Sequence, residues 1–187
     1  MKESSSTSRM LRTGLGVLLL CLGAGCAGPR SDGGDAAERA LAKAEIAELQ
    51  RRYVRAADRL VGADDPEPSA AVYRRVFTAD ARIVVTGQVS ATGPEEWLAI
   101  SRATQAGLRA TQHMIGTQVV DVHALPGPDG TGGRASMTSA VQVSQMPEAG
   151  GVARLLGTYT SELVHVPGTG WKISEMTLSI SAFEAPQ

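Results

Sequence analysis

The run Thr111-Gln112-His113-Met114-Ile115-Gly116 sets a titratable ring at the entrance of a predicted β-strand. Of the unperturbed side chains, histidine changes charge nearest to neutral pH, so His113 can take a proton from a substrate and return it. A strand histidine with one satisfied nitrogen is also common core filler, and position alone leaves both uses open. Asp58 is the second group of interest. At about 100° per residue it falls on the border of the apolar arc of a predicted helix that also carries Tyr53. A carboxylate there faces either a cavity mouth or water, and water is the expectation, because aspartate is seldom buried without a partner. Asp121 and His123 form an Asp-x-His pair on one strand face, with His165 elsewhere. That spacing is common and lacks a third ligand at diagnostic distance, so neither a metal nor another cofactor is expected.

The elements that must position these groups follow from periodicity. Asp35 and Glu38 read as a capping box opening a helix that runs to about Gly62. Its buried stripe is Ile46, Leu49, Tyr53, Ala56, Ala57 and Leu60, and its opposite face carries Glu48, Arg51, Arg52, Arg55 and Arg59. Those arginines read as a solvated surface supported by pairs such as Glu48 to Arg52. The acidic, proline-bearing stretch Gly62 to Pro68 turns the chain. A short helix over Ser69 to Phe77, a strand over Ala81 to Thr86, and a helix opened by Gly93-Pro94 and ending near Gly107 come next. From Arg109 the period becomes two, predicting strands at Arg109–Leu125, Gly133–Met146, Val152–Val166 and Trp171–Ala182. In the second of these, Ala135, Met137, Ser139, Val141 and Val143 share one face. In the last, the apolar phase changes between Ile173 and Met176, which predicts a bulge. Helices followed by a curved, mostly antiparallel meander make an α+β domain with the helices on one face of the sheet. Trp97, Trp171 and Phe77 read as core anchors.

The chain has 187 residues, enough for one domain with extensions. Residues 1–25 have the layout of a secretory signal: Lys2, Arg9 and Arg12, then an apolar run from Leu15 to Leu22, then small residues. That run is too short to span a bilayer, which takes about 20 apolar residues. Leu22-Gly23-Ala24-Gly25-Cys26 resembles a bacterial lipoprotein signal, which implies lipidation of Cys26 and tethering to a membrane of the cell envelope, on its periplasmic or other extracytoplasmic face. Gly23 holds the place where that pattern usually has Leu, which keeps conventional cleavage nearby as the alternative. Residues 26–34 then form a tether and residues 35–187 the domain. Both cysteines, Cys21 and Cys26, lie in the signal region, so no disulfide can staple the fold. Residues 1–25 carry Lys2, Arg9 and Arg12 against Glu3, so their removal makes a formal charge of −1 more negative by two. That sign argues against nucleic acid as a partner.

Tyr53 with Ala57-Asp58, Phe77-Thr78-Ala79-Asp80-Ala81, Gly93-Pro94 and Gly170-Trp171-Lys172-Ile173 occur in the order seen in the SnoaL-like branch of the nuclear-transport-factor-2-like superfamily, which the chain resembles over about Ala40 to Ser181. The resemblance implies a cone-shaped α+β fold enclosing a pocket, and a homodimer through the outer sheet face. Within that superfamily, Leu108 to Gly116 is most similar to scytalone dehydratases, where a Thr-Gln-His-aromatic-Ile-Gly run carries a catalytic histidine. His113 matches that histidine, with Met114 replacing the aromatic residue, and Asp58 matches an aspartate that orients a second histidine. Thr160 stands where that second histidine should fall, and threonine cannot accept a proton near neutral pH. The chain also contains no asparagine, so a substrate contact of that family is missing. Tyr159, Thr160 and Met137 are the expected pocket wall, with Tyr53 or Tyr159 polarising a carbonyl.

Two functions fit these residues. One is binding of a small hydrophobic molecule in the pocket without catalysis, favoured by the missing second histidine. The other is a cofactor-independent lyase or isomerase in which His113 and Asp58 form an acid/base pair. Fold alone does not choose between them, and the sequence leans to binding.

Overall fold

The computed structural model describes residues 32–61 and 68–186, within the unit Ser31–Gln187. The expected signal and tether, with Cys21 and Cys26, and most of the expected Gly62–Pro68 turn lie outside the described residues. Helix α1 (Asp32–Asp58) is followed by a 3-10 turn (Arg59–Val61), α2 (Ser69–Val76), β1 (Phe77–Val85), β2 (Val89–Thr92) and α3 (Gly93–Gln105). Strands β3 (Leu108–Ala124), β4 (Arg134–Pro147), β5 (Ala153–Val166) and β6 (Gly170–Glu184) complete the chain. Among the described residues no helix is long and apolar enough to cross a membrane.

The six strands form one sheet in the order β2-β1-β6-β5-β4-β3. All neighbours are antiparallel except β1 and β6, which run parallel. The α+β architecture is the expected one, with two differences. Val89–Thr92 is too short to give a periodic signal of its own, yet it pairs with β1 as an edge strand. Helix α1 also begins before the expected cap: Asp35 lies inside the helix, and its buried Oδ1 has no hydrogen-bond partner. The predicted bulge in the last strand is present. Glu162 pairs with Glu175 and Leu163 with Ile173, leaving Ser174 as the extra residue that changes the apolar phase. A second register shift lies between Leu156 and Gly157, and together the two bend β6 around the core.

The inward faces of β4, β5 and β6 meet the apolar stripe of α1. Ile46, Ala56, Val76, Phe77, Ile83 and Ile173 are fully buried. Each large aliphatic or aromatic side chain among them contributes about 1.5–3 kcal/mol relative to exposure. Tyr53 packs edge to face against Tyr73, Phe77 and Tyr159, with centroids 5.5, 5.3 and 6.1 Å apart.

Three long-range hydrogen bonds fix α1 along β3. Arg39 Nη1 donates to the Val122 carbonyl at 2.6 Å, Gln118 Nε2 donates to the Ala47 carbonyl at 3.3 Å, and Asp58 accepts from His113. Helix numbers rise as strand numbers fall, so the two elements run antiparallel. At about 1.5 Å per helical residue and 3.3 Å per strand residue, Arg39 to Asp58 and Val122 to His113 each span about 30 Å. The helix and strand therefore keep step until the last helical residue reaches the start of the strand.

Candidate active site

That meeting point is the Asp58–His113 pair. His113 Nδ1 lies 2.6 Å from Asp58 Oδ1, and the His113 backbone N–H donates to both carboxylate oxygens at 3.1 Å. The His113 and Asp58 side chains keep only 11% and 24% of their surface exposed. A carboxylate is an acceptor only, so Nδ1 carries the shared proton, and in the neutral ring Nε2 holds the lone pair. Sequence reasoning expected Asp58 to face water. Instead it turns inward, because the strand offers two N–H groups that need an acceptor.

His113 is on the wall of a cavity of about 490 Å³, together with Tyr53, Ala57, Trp97, Val143 and Tyr159. Leu155, Leu178, Ile180 and Phe183 add an apolar lining, while Gln88, Gln105 and Gln145 supply amides. This size and this mixture of apolar wall with few polar groups suit a small molecule.

The tyrosines are linked. Trp97 Nε1–H donates to Tyr53 Oη at 3.0 Å, and the Tyr53 ring stands edge to face with that of Tyr159. The Tyr159 hydroxyl on the cavity lining can donate to a ligand there. Burial pushes both phenols well up, Tyr53 further through the neighbouring Tyr159 and Tyr73 phenols, and Tyr159 also through Tyr73 and the Asp58 charge. Both are therefore protonated donors across the physiological range.

Two expected pocket residues are elsewhere. Thr160 is exposed on the outer face of β5, since Tyr159 and Ser161 hold the inward positions on either side of it. Met137 is fully packed in the core, where its sulfur accepts a weak bond from Gln118 Nε2 at 3.7 Å. Strand parity explains Thr160: a one-residue error exchanges the two faces of a sheet. Depth explains Met137, which is on the correct face but beneath α1. The α3 contribution went unread as a site, although Trp97, Ile100, Ser101, Thr104 and Gln105 line the cavity at helical three- and four-residue spacing.

The other histidines have structural partners. His123 Nε2 is 3.0 Å from Ser136 Oγ, and His165 Nδ1 is 2.8 Å from the Gly130 carbonyl with its ring edge-on to Trp171. Among the described residues no three metal-ligating side chains come together.

A six-stranded sheet covered by three helices, with a hydrogen-bonded carboxylate–imidazole pair whose imidazole lines an open cavity, defines an α+β pocket domain with the nuclear-transport-factor-2-like fold. Residues 38–177 match the SnoaL-like domain, and the chain belongs to that family. No functionally curated protein matches it. Among solved structures, the Kfla4162 protein from Kribbella flavida is 28% identical, with a TM-score of 0.62 over 78% of this chain and 95% of its own. A candidate scytalone dehydratase from Novosphingobium aromaticivorans DSM 12444 is 18% identical, with a TM-score of 0.65 over 81% of this chain and 92% of its own. The hexachlorocyclohexane dehydrochlorinase LinA-type3 from Novosphingobium barchaimii LL02 is 17% identical, with a TM-score of 0.63 over 81% and 94%. The last two share the fold with this chain.

Proposed function

We propose that this protein is a cofactor-independent lyase or isomerase that moves a proton on a small, largely apolar carbonyl compound. The observation that carries this reading is the 2.6 Å contact between His113 Nδ1 and Asp58 Oδ1 at the wall of the cavity. Binding alone needs no anchored imidazole; a base does. His113 Nε2 takes a proton from the carbon beside the carbonyl, and the Asp58 carboxylate stabilises the imidazolium that results. The C–H electron pair moves to the carbonyl oxygen, which accepts the Tyr159 hydroxyl proton in a hydrogen bond. The enolate then either recovers the proton at another carbon or expels a leaving group from the adjacent carbon, with imidazolium returning the proton to the departing group. The dehydratase and dehydrochlorinase among the structural neighbours make elimination a reaction this fold accommodates.

The test is proton exchange in D₂O, followed by NMR, with 1-tetralone and 2-tetralone as probes. His113→Ala should slow enzyme-dependent exchange by about 10²–10⁴-fold. Equal exchange by the variant and the parent protein would remove His113 as the base and leave ligand binding as the function.

The signal at residues 1–25 and Leu22 to Cys26 support placing this activity on a lipid tether in the cell envelope. Cys26→Ser should release the protein from the membrane fraction, and unchanged membrane association would reject the tether.

A further inference from the structure

Two of the amides on the His113 cavity, Gln105 and Gln145, come to the same end of the sheet. Along the inward face His113 stands opposite Val143, and Thr111 stands opposite Gln145, one pair and about 7 Å nearer the start of β3. The Glu148 backbone N–H donates to the Gly107 carbonyl at 2.9 Å, which ties the turn after α3 to the end of β4. Gln105, the last residue of α3, is thereby carried to the Thr111–Gln145 end, and both glutamines line the cavity.

This end holds hydrogen-bonding capacity that the fold leaves unused. Gln105 Oε1 and Thr111 Oγ1 are shut off from solvent, yet neither has a hydrogen-bond partner among the described residues. A buried acceptor left unpaired is costly, and a ligand donor that reaches it removes the cost. Gln105 as a whole is only partly buried, and a half turn about its last, soft torsion exchanges its amide oxygen with its nitrogen. Among the described residues that line the cavity, none is Lys, Arg, Asp or Glu. A carboxylate or phosphate drawn inside would lose its hydration without gaining a fixed opposite charge, whereas a neutral polar group loses far less.

We infer that Gln105, Gln145 and Thr111 form a hydroxyl-binding subsite, so that the substrate is a hydroxy ketone whose neutral hydroxyl lies at the far end from its carbonyl. The orientation rests on the proton-transfer reading above. Inward positions along β4 run Ser139, Val141, Val143, Gln145; Tyr159 stands opposite Ser139 and His113 opposite Val143. His113 therefore comes between the tyrosine and the amides. A carbonyl held at Tyr159 and a hydroxyl held at Gln105 and Gln145 leave the intervening carbons facing the imidazole. A hydroxyl both donates and accepts, so it can donate to Gln105 Oε1 while accepting from the Gln145 amide or the Thr111 hydroxyl.

The test is calorimetric binding of 4-phenyl-2-butanone and 4-(4-hydroxyphenyl)-2-butanone to the full-length protein; the two ketones differ only in a hydroxyl remote from the carbonyl. The parent protein should bind the hydroxy ketone about fivefold more tightly, the effect of one net hydrogen bond. Gln105→Leu and Gln145→Met should each bring the two affinities to within about twofold, while 4-phenyl-2-butanone binding stays within about threefold and so reports that the variants are folded. No binding of the hydroxy ketone, equal affinity for the two ketones, or a preference that survives both substitutions would overturn the subsite. The same pair measured on His113→Ala separates this subsite from the base: a preference retained there, with proton exchange equal to the parent's, would remove the base and keep the subsite. Exchange lost in His113→Ala, with no preference in the parent protein, would do the reverse.

Discussion

A carboxylate has no proton to give, so its position dictates which histidine nitrogen is basic. Asp58 accepts hydrogen bonds from Nδ1–H and from the backbone N–H of the same residue, fixing both the tautomer of the neutral His113 ring and its direction. Asp58→Asn keeps the volume but removes the charge that stabilises an imidazolium, and its amide nitrogen confronts an N–H group. Proton exchange should fall by roughly 10²-fold or more, and stability by about 1–3 kcal/mol as a buried donor loses its acceptor. Ligand affinity should stay within about threefold, because the group acts through His113. Exchange unchanged in the D₂O assay would show that Asp58 is structural. His113, Asp58, Tyr53 and Tyr159 stand out in the sequence because each carries a reactive group at a definite phase of its element. The bond between the first two is not legible there, because it closes a sequence separation of 55 between a helix end and a strand.

At the scale of elements, the helices and the four long strands could be read from their periods, and even the β6 bulge showed as a change of phase at Ile173 and Met176. What escaped was set by contacts rather than by local pattern: the parallel pairing of β1 with β6, and β2, whose four residues become a strand only beside β1. Gly93 shows how such a contact reaches the site. It opens α3 at a φ of +81°, and a Cβ there would sit 2.6 Å from the Ala79 carbonyl oxygen of β1. Only glycine meets both demands, and α3 can then cross β1 closely enough for Trp97 to reach Tyr53. Gly93→Ala should cost about 2–4 kcal/mol, from a disfavoured backbone region and a backbone clash together. A free energy of unfolding in urea within about 0.5 kcal/mol of the parent would show that α3 can shift without loss. The same shift would lengthen the 3.0 Å Trp97–Tyr53 bond, so ketone exchange should weaken with it.

Over the whole molecule, α1 and α3 close over the sheet to shape a cavity with His113 on its wall. The cavity side holds all three tyrosines of the chain in one cluster. Burial, the largest cause in each case, pushes Tyr53 well up, Tyr159 up as well, and Tyr73 to about 12. A group whose pKa is raised by folding adds stability that is complete below its unfolded value and disappears as pH climbs through the folded one. The window here opens near pH 10, the ordinary tyrosine value, and extends past about 12. Absorbance at the phenolate band should therefore stay near zero at pH 10 in the folded protein, whereas the urea-unfolded chain should be about half ionised. Above that pH, stability should fall steeply, with phenolate appearing together with loss of near-ultraviolet circular dichroism rather than before it. A tyrosine that ionises near pH 10 while the fold persists would mean that water reaches the cluster, and with it that the Tyr159 proton is shared with solvent instead of being held for a carbonyl oxygen.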